Sequence, residues 1–249
     1  MYPVLWEPFG FPISTFGVMM AVGFLVSAWI VSLRLREYGA DPELSSTILI
    51  YAMVGGVLGS KLYFAIDEGL RTGAPFSALL FSRAGITWYG GLIGGTLLVT
   101  LATRIHGIST RMIASCVASA APFGQACGRI GCFLVGDDYG RPTDAAWGIA
   151  FPQGAPPTTV PVHPTQLYEV AWLVLLGSVL WRRRRKSRFL FGEYLIGAGI
   201  GRFVIEFWRV NPRVALDLSE AQWIAIGLIA CGAIGLLIFR AEPLQGSAR

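Results

Sequence analysis

PFGFPISTFGVMMAVGFLVSAWIVSL, residues 8–33, holds no ionisable side chain and stops at Arg34 and Arg36. A helix rises about 1.5 Å per residue, so a run of this length spans the roughly 30 Å hydrocarbon layer of a bilayer. A cleavable export signal would begin with positive charge and carry a shorter apolar centre, whereas residues 1–12 contain no Lys or Arg. The stretch therefore predicts a first spanning helix. Similar stretches follow at about 44–66, 86–103, 112–128, 166–181, 189–208 and 223–239, which makes seven candidate spans.

The composition points the same way. Of 249 residues, 54% are hydrophobic and 14% charged, and the mean hydropathy is +0.58. A soluble domain carries about 25% charged residues, so this chain lacks the charge to cover a water-facing surface. Disorder needs the opposite composition. The expected fold class is all-α: a polytopic membrane protein of seven transmembrane helices forming a single domain over residues 1–249. The excess of 20 Lys+Arg over 15 Asp+Glu does not indicate nucleic acid, because six of the cations lie within 182–188 beside an apolar helix. Such a tract marks the cytoplasmic face of a membrane. Cys116, Cys127, Cys132 and Cys231 show neither CxxC spacing nor a nearby His, which argues against zinc or thioredoxin-like chemistry and leaves small apolar packing.

Lys and Arg between the spans set the orientation. With the N-terminus outside, Arg34, Arg36, Arg104, Arg111, the six cations of 182–188, Arg240 and Arg249 fall inside, twelve in all. Arg71, Arg83, Arg129, Arg141, Arg209 and Arg213 fall outside, six in all. The bias predicts N-out and C-in. Glycines recur at 55, 56 and 59, at 90, 91, 94 and 95, and at 197, 199 and 201, where small residues let helices approach in lipid. The outside segment 129–164 is rich in Gly, Pro and Asp and too long for a mere connector, so it is expected to be a functional extracytoplasmic loop.

Charges inside apolar spans cost roughly 2.5–3.5 kcal/mol each on insertion scales, so each needs a partner or a task. Lys61, Glu169, Glu193, Arg202 and Glu206 lie within the candidate spans, and Arg129 closes the fourth. Counting helical rise places Lys61, Arg129, Glu169, Arg202, Glu206 and Tyr89 in the outer half, with Glu193 near the inner face. Arg202 and Glu206 form an i,i+4 pair that could serve structure alone. At least two arginines at headgroup depth point instead to an anion site, because a guanidinium grips phosphate oxygens in pairs. The abundant phosphate at that depth is a phospholipid's.

Four strings stand in order along the chain: ITWYGGLIGG from Ile86, GRIGCFLVGDDYGRPT from Gly128, VHPTQLYE from Val162 and GRFVIEFWR from Gly201. Together, within seven spans of this orientation, they resemble the prolipoprotein diacylglyceryl transferase family over about residues 16–223. The resemblance implies a multi-pass enzyme of the bacterial inner membrane, with its active site toward the extracytoplasmic side. It would move a diacylglyceryl group from phosphatidylglycerol to the lipobox cysteine of a preprolipoprotein, forming a thioether and releasing glycerol phosphate, the first step of lipoprotein maturation. No cofactor and no metal is implied. Arg129 and Arg202 match the family's arginines that handle the phospholipid. Glu206 and Glu169 match acidic positions that would orient them, and Gly140 matches a loop glycine where a side chain would crowd the lipid path or forbid a positive backbone angle. Catalytic candidates are thus Tyr89, Arg129, Arg202 and Glu206. Lys61, Cys132, Asp137, Gly140, His163, Gln166 and Glu169 join the two arginines as substrate-binding candidates.

The chain departs from the family pattern at Tyr89, where many members have His, at Cys132 for Asn, at Asp137 for Glu and at Phe16 for Tyr. A free tyrosine has a pKa of about 10, so Tyr89 acts as a base only if nearby arginines lower it, and otherwise by hydrogen bonding. His163 is either a catalytic base or part of a His-Pro helix start. A third route lets the thiol ionise beside the cations with no dedicated base. Cys132 reads as a small filler, and Asp137 as a loop-ordering acid beside Asp138. Two further readings stay open: a family member altered by these replacements that only binds phospholipid, and a transporter with intramembrane ion pairs.

Overall fold

The computed structural model describes residues 2–10, 12–82, 85 and 87–239. Arg83, Ile86, Arg240 and Arg249, which entered the charge count and the first motif, lie outside the described residues. The chain divides into two compact units, Gly39–Ile113 and Met1–Tyr38 with Ala114–Arg249.

The smaller unit is built on α2 (Leu44–Thr72), the short α3 (Phe76–Leu80) and α4 (Trp88–Ile105). Gly55 and Gly59 of α2 face Gly94 and Gly90 of α4 so closely that a Cβ on any of them would run into the opposite backbone. In lipid no hydrophobic force joins helices, and backbone contact of this kind supplies the attraction. Ser60 Oγ donates to the Thr87 carbonyl at 2.7 Å, and Thr87 Oγ1 donates back to the Ser60 carbonyl at 3.1 Å, which pins the start of α4 to α2. Gly73, at φ +71°, closes α2 with its N–H on the Gly69 carbonyl.

The larger unit holds α1 (Thr15–Glu37), most of α5 (Thr110–Val135), α6 (Thr165–Arg183), α7 (Leu190–Ile205) and α8 (Glu220–Ile238). Glycines again set the crossings: Gly23 meets Gly124 between α1 and α5, and Gly192 meets Gly232 between α7 and α8. Gly201 lies under the Trp172 ring, whose Nε1 donates to the Gly197 carbonyl at 2.9 Å and ties α6 to α7. At the far ends of α1 and α6, Arg34, Arg184 and Arg185 all pair with Glu37.

Every stretch read as a span lies largely on a helix, and among the described residues three helices, Thr15–Glu37, Leu44–Thr72 and Glu220–Ile238, are long and apolar enough to cross a membrane. Tyr89–Ile105 is a shorter apolar helix. Three expectations need correction. The first helix begins at Thr15 rather than near residue 8. Ahead of it, β1 (Val4–Trp6) and β2 (Ile13–Ser14) pair as a hairpin across Phe9 and Gly10, both with left-handed backbone at φ +53° and +82°. A helix cannot pass through such residues. The fold is mostly helical rather than all-α, because two further antiparallel pairs occur, β3 (Ile149–Phe151) with β4 (Thr158–Val162) and β5 (Arg213–Ala215) with β6 (Leu218–Ser219). Finally, α5 runs on to Val135, so Arg129 lies inside that helix and the loop begins at Gly136.

Candidate active site

Three arginines and three carboxylates interlock in the larger unit. Arg129 comes from α5, Glu169 from α6 and Arg202 from α7; Glu206 and Arg209 come from the single turn after α7, and Asp138 from the loop. Arg202 Nη1 lies 3.1 Å from Glu169 Oε1, and its Nη2 lies 3.2 Å from Glu206 Oε2. Arg129 pairs through Nε with the other Glu169 oxygen and through Nη1 with Asp138 Oδ2 at 2.6 Å. Arg209 reaches all three acids: Asp138, Glu169 at 3.4 Å and Glu206 at 3.5 Å. One carboxylate, Glu169, thus holds guanidiniums from three directions. An unpaired charge at such a place would be strongly destabilising, and mutual pairing removes that penalty.

Exposure separates the arginines. Arg209 is 5% exposed, whereas Arg129 and Arg202 keep 27% and 29% of their side-chain surface open. Arg209 is therefore a packed fastening, while the other two keep part of their side chains open. Glu206 is fully buried and accepts from Asn211 Nδ2 and Ser219 Oγ, both at 2.7 Å. Ser219 is also the N-cap of α8, in a capping box with Gln222, so the start of that helix and the cluster share one hydroxyl.

The loop that brings Asp138 inward is held as if it were a strand. Gly140 N–H donates to the His163 carbonyl at 2.9 Å, His163 N–H to Arg141 at 3.0 Å, and Arg141 N–H to Trp208 at 2.8 Å. Gln166 Nε2 donates to the Asp137 carbonyl at 2.6 Å, and Thr165 Oγ1 to the Asp138 carbonyl at 3.0 Å. Gly140 is required here by close approach, not by a positive φ: a Cβ would strike the Trp208 carbonyl and Thr165 Cγ2. Asp138, at φ +66°, is left-handed without being a glycine. That twist separates the two acids. Asp138 enters the cluster, and Asp137 stays exposed at the surface. Burial alone would raise the Asp138 pKa, but the charges of Arg209 and Arg129 outweigh it and hold the carboxyl below its ordinary value.

Beside the cluster lies an aromatic groove of about 350 Å³ lined by Trp147, His163, Tyr168, Ile205 and Trp208. Trp147 Nε1 donates to the Tyr168 hydroxyl at 2.7 Å, and that hydroxyl lies 3.0 Å from His163 Nδ1. The His163, Tyr168 and Trp208 rings pack edge to face.

Of the residues singled out from sequence, Arg129, Glu169, Arg202 and Glu206 meet in the cluster, with Gly140 and Gln166 supporting its loop. Cys132 is buried with its Sγ 3.8 Å from Arg129 Nη1. His163 lines the groove. Lys61 and Tyr89 belong to the smaller unit, where Lys61 Nζ donates to the Ser82 carbonyl at 2.5 Å and Tyr89 packs on Tyr63. Glu193 binds Arg183 through both oxygens, at 2.7 and 3.0 Å. Sequence reasoning passed over Arg209 and Asp138. Arg209 ends the GRFVIEFWR string, three residues after Glu206 and seven after Arg202, a spacing that puts all three on one helical face. No comparable signal marked Asp138.

Comparison with known proteins adds an independent line. The family model described as prolipoprotein diacylglyceryl transferase matches residues 3–238. The phosphatidylglycerol–prolipoprotein diacylglyceryl transferase of Clostridium tetani (strain Massachusetts / E88) is 32% identical over 250 residues, 98% of this chain and 99% of its own length. Proteins of the same name from Cupriavidus metallidurans and Methylococcus capsulatus are 31% and 33% identical, over 89% and 87% of this chain and 87% and 84% of their own lengths. With three of its four motifs carrying the ion cluster and a match along nearly its whole length, the chain belongs to the prolipoprotein diacylglyceryl transferase family.

Proposed function

We propose that this protein transfers the diacylglyceryl group of phosphatidylglycerol to the cysteine thiol of a preprolipoprotein lipobox. The observation that carries the reading is the pair of partly exposed arginines, Arg129 and Arg202, both held on the Glu169 carboxylate. A phosphodiester seated on their free donors is polarised where charge develops as the ester bond breaks. The cysteine sulfur, as thiolate, attacks the glyceryl carbon that bears the phosphate ester. A carbon–sulfur bond forms, the carbon–oxygen bond breaks, and its electron pair leaves on glycerol phosphate. The thiol proton goes to a base or to water before attack. Glu169, Glu206 and Asp138 hold the arginines, Arg209 locks the three acids, and Gly140 and Gln166 keep the loop in place. Cys132, Asp137 and His163 are proposed to line the substrate path, while Lys61 and Tyr89, in the smaller unit, are candidates on sequence grounds alone. The chain acts as one membrane domain with seven spans, N-terminus outside and C-terminus inside, in the bacterial inner membrane with the site facing outward.

Purified protein given phosphatidylglycerol and a lipobox peptide is expected to add a diacylglyceryl mass to the peptide cysteine and release glycerol phosphate. Arg129→Ala and Arg202→Ala are each expected to lower turnover by at least about a hundredfold while expression persists. Unmodified peptide, beside a competent control enzyme, would favour a lipid-binding protein without transfer.

A further inference from the structure

Three of the five groove residues are immediate chain neighbours of the ion cluster: Tyr168 of Glu169, Ile205 of Glu206 and Trp208 of Arg209. The same turns of chain build both, so the groove lies close to the seat proposed for the phosphate. Its lining carries no Lys, Arg, Asp or Glu, which makes it a poor place for a phosphate. Its 350 Å³ lies at the small end of the roughly 300–1,000 Å³ of ligand pockets, too little for a pair of long acyl chains but enough for one apolar side chain with its peptide unit.

The polar atoms of the groove have a defined direction. An indole N–H only donates, so the Tyr168 oxygen accepts from Trp147, and the phenol donates to His163 Nδ1 in the tautomer that leaves that nitrogen unprotonated. With Nδ1 accepting, a neutral His163 ring carries its hydrogen on Nε2. Partial burial and the Arg141 charge both hold the His163 pKa below its ordinary value, which favours the neutral ring. On its Nε2 edge such a ring is a hydrogen-bond donor and not a base. Trp147 stands 63% exposed, its ring orientation already fixed by Tyr168, as a preorganised wall.

Building on the transferase reading, we propose that this groove is the subsite for the acceptor polypeptide. An apolar side chain flanking the reacting cysteine seats between Trp147 and Trp208, and the His163 Nε2–H meets a backbone carbonyl of the same segment. Both Trp147 and His163 come from the polar loop beyond the end of α5, where a polypeptide can reach them without entering the helix bundle.

The test uses the full chain in detergent and a fluorescent peptide in which serine replaces the reactive cysteine beside a leucine, so that binding is read without turnover. Trp147→Ala is expected to weaken binding about tenfold. Changing the peptide leucine to serine should weaken binding to the unaltered protein by a similar factor, and to Trp147→Ala by no more than about twofold. Equal losses in both proteins, or no binding by the unaltered protein, would overturn the proposal. His163→Gln, which keeps a donor, is expected to bind within about threefold, and His163→Phe to lose about tenfold; equal behaviour of the two would remove the donor role. In transfer assays the Trp147→Ala change should raise KM for peptide and not for phospholipid, and the reverse pattern would put lipid in the groove. Coupled peptide binding without any transfer would sink the reaction and leave the subsite standing, whereas transfer without coupling would do the opposite.

Discussion

Arg129 and Arg202 are more exposed than Arg209, and the proposed mechanism gives them different work. Arg202→Lys keeps the charge but loses the fork that spans Glu169 and Glu206. Transfer is expected to fall at least about tenfold, with detergent melting shifted far less, measured by thermal scan and mass spectrometry on one preparation. Asp138 gives a pH expectation with a definite sign. Its folded-state pKa is depressed, so its pairing contributes stability above the ordinary carboxylate value and is lost as pH falls through the lower folded one. Tryptophan fluorescence from the loop region should therefore stay constant from about pH 7 to 5 and change only below about 4. In Asp138→Asn that acid step should be missing, and its persistence would mean another group holds the loop. These two residues also show why sequence reading reaches only part of the cluster. Glu169 and Arg202 stand out because charges are rare in apolar runs, whereas Asp138 sits among polar loop residues where an acid is ordinary.

At the scale of elements, lipid explains what was legible. A chain in hydrocarbon must satisfy its backbone internally, so the length of an apolar run translates into helix, as it does at α2 and α8. The same rule misleads before Thr15, where apolar residues of the β1–β2 hairpin look like more of the first span until Phe9 and Gly10 turn the backbone left-handed. Strands β3 and β4 were not legible, because three to five residues without alternation carry no periodic signal. The loop they flank is held by backbone bonds that only Gly140 permits. Gly140→Ala should cost about 1–3 kcal/mol through displacement of Trp208 or Thr165 and lower transfer in step. Proteolysis of the intact protein within residues 136–147 offers a direct reading. A variant cleaved no faster than the parent would mean that the loop absorbs the methyl group.

For the molecule as a whole, orientation is the claim to test first. A cysteine at Lys186 should react in intact cells only after permeabilisation, and one at Trp147 should react with impermeant reagent without it. The reverse pattern would invert the protein and move the cluster to the inner leaflet. The distribution of charge has one more outcome. The chain carries a formal +5, yet three guanidiniums meet three carboxylates at the cluster, so the resting site is electrically neutral. A phosphodiester arriving there brings one negative charge, while the phosphomonoester left after transfer carries about −1.5 to −2 at neutral pH. The carboxylates of Asp138, Glu169 and Glu206 offset the stronger pull that Arg129, Arg202 and Arg209 would otherwise exert on the more highly charged product, so a site of no net charge does not trap the spent headgroup.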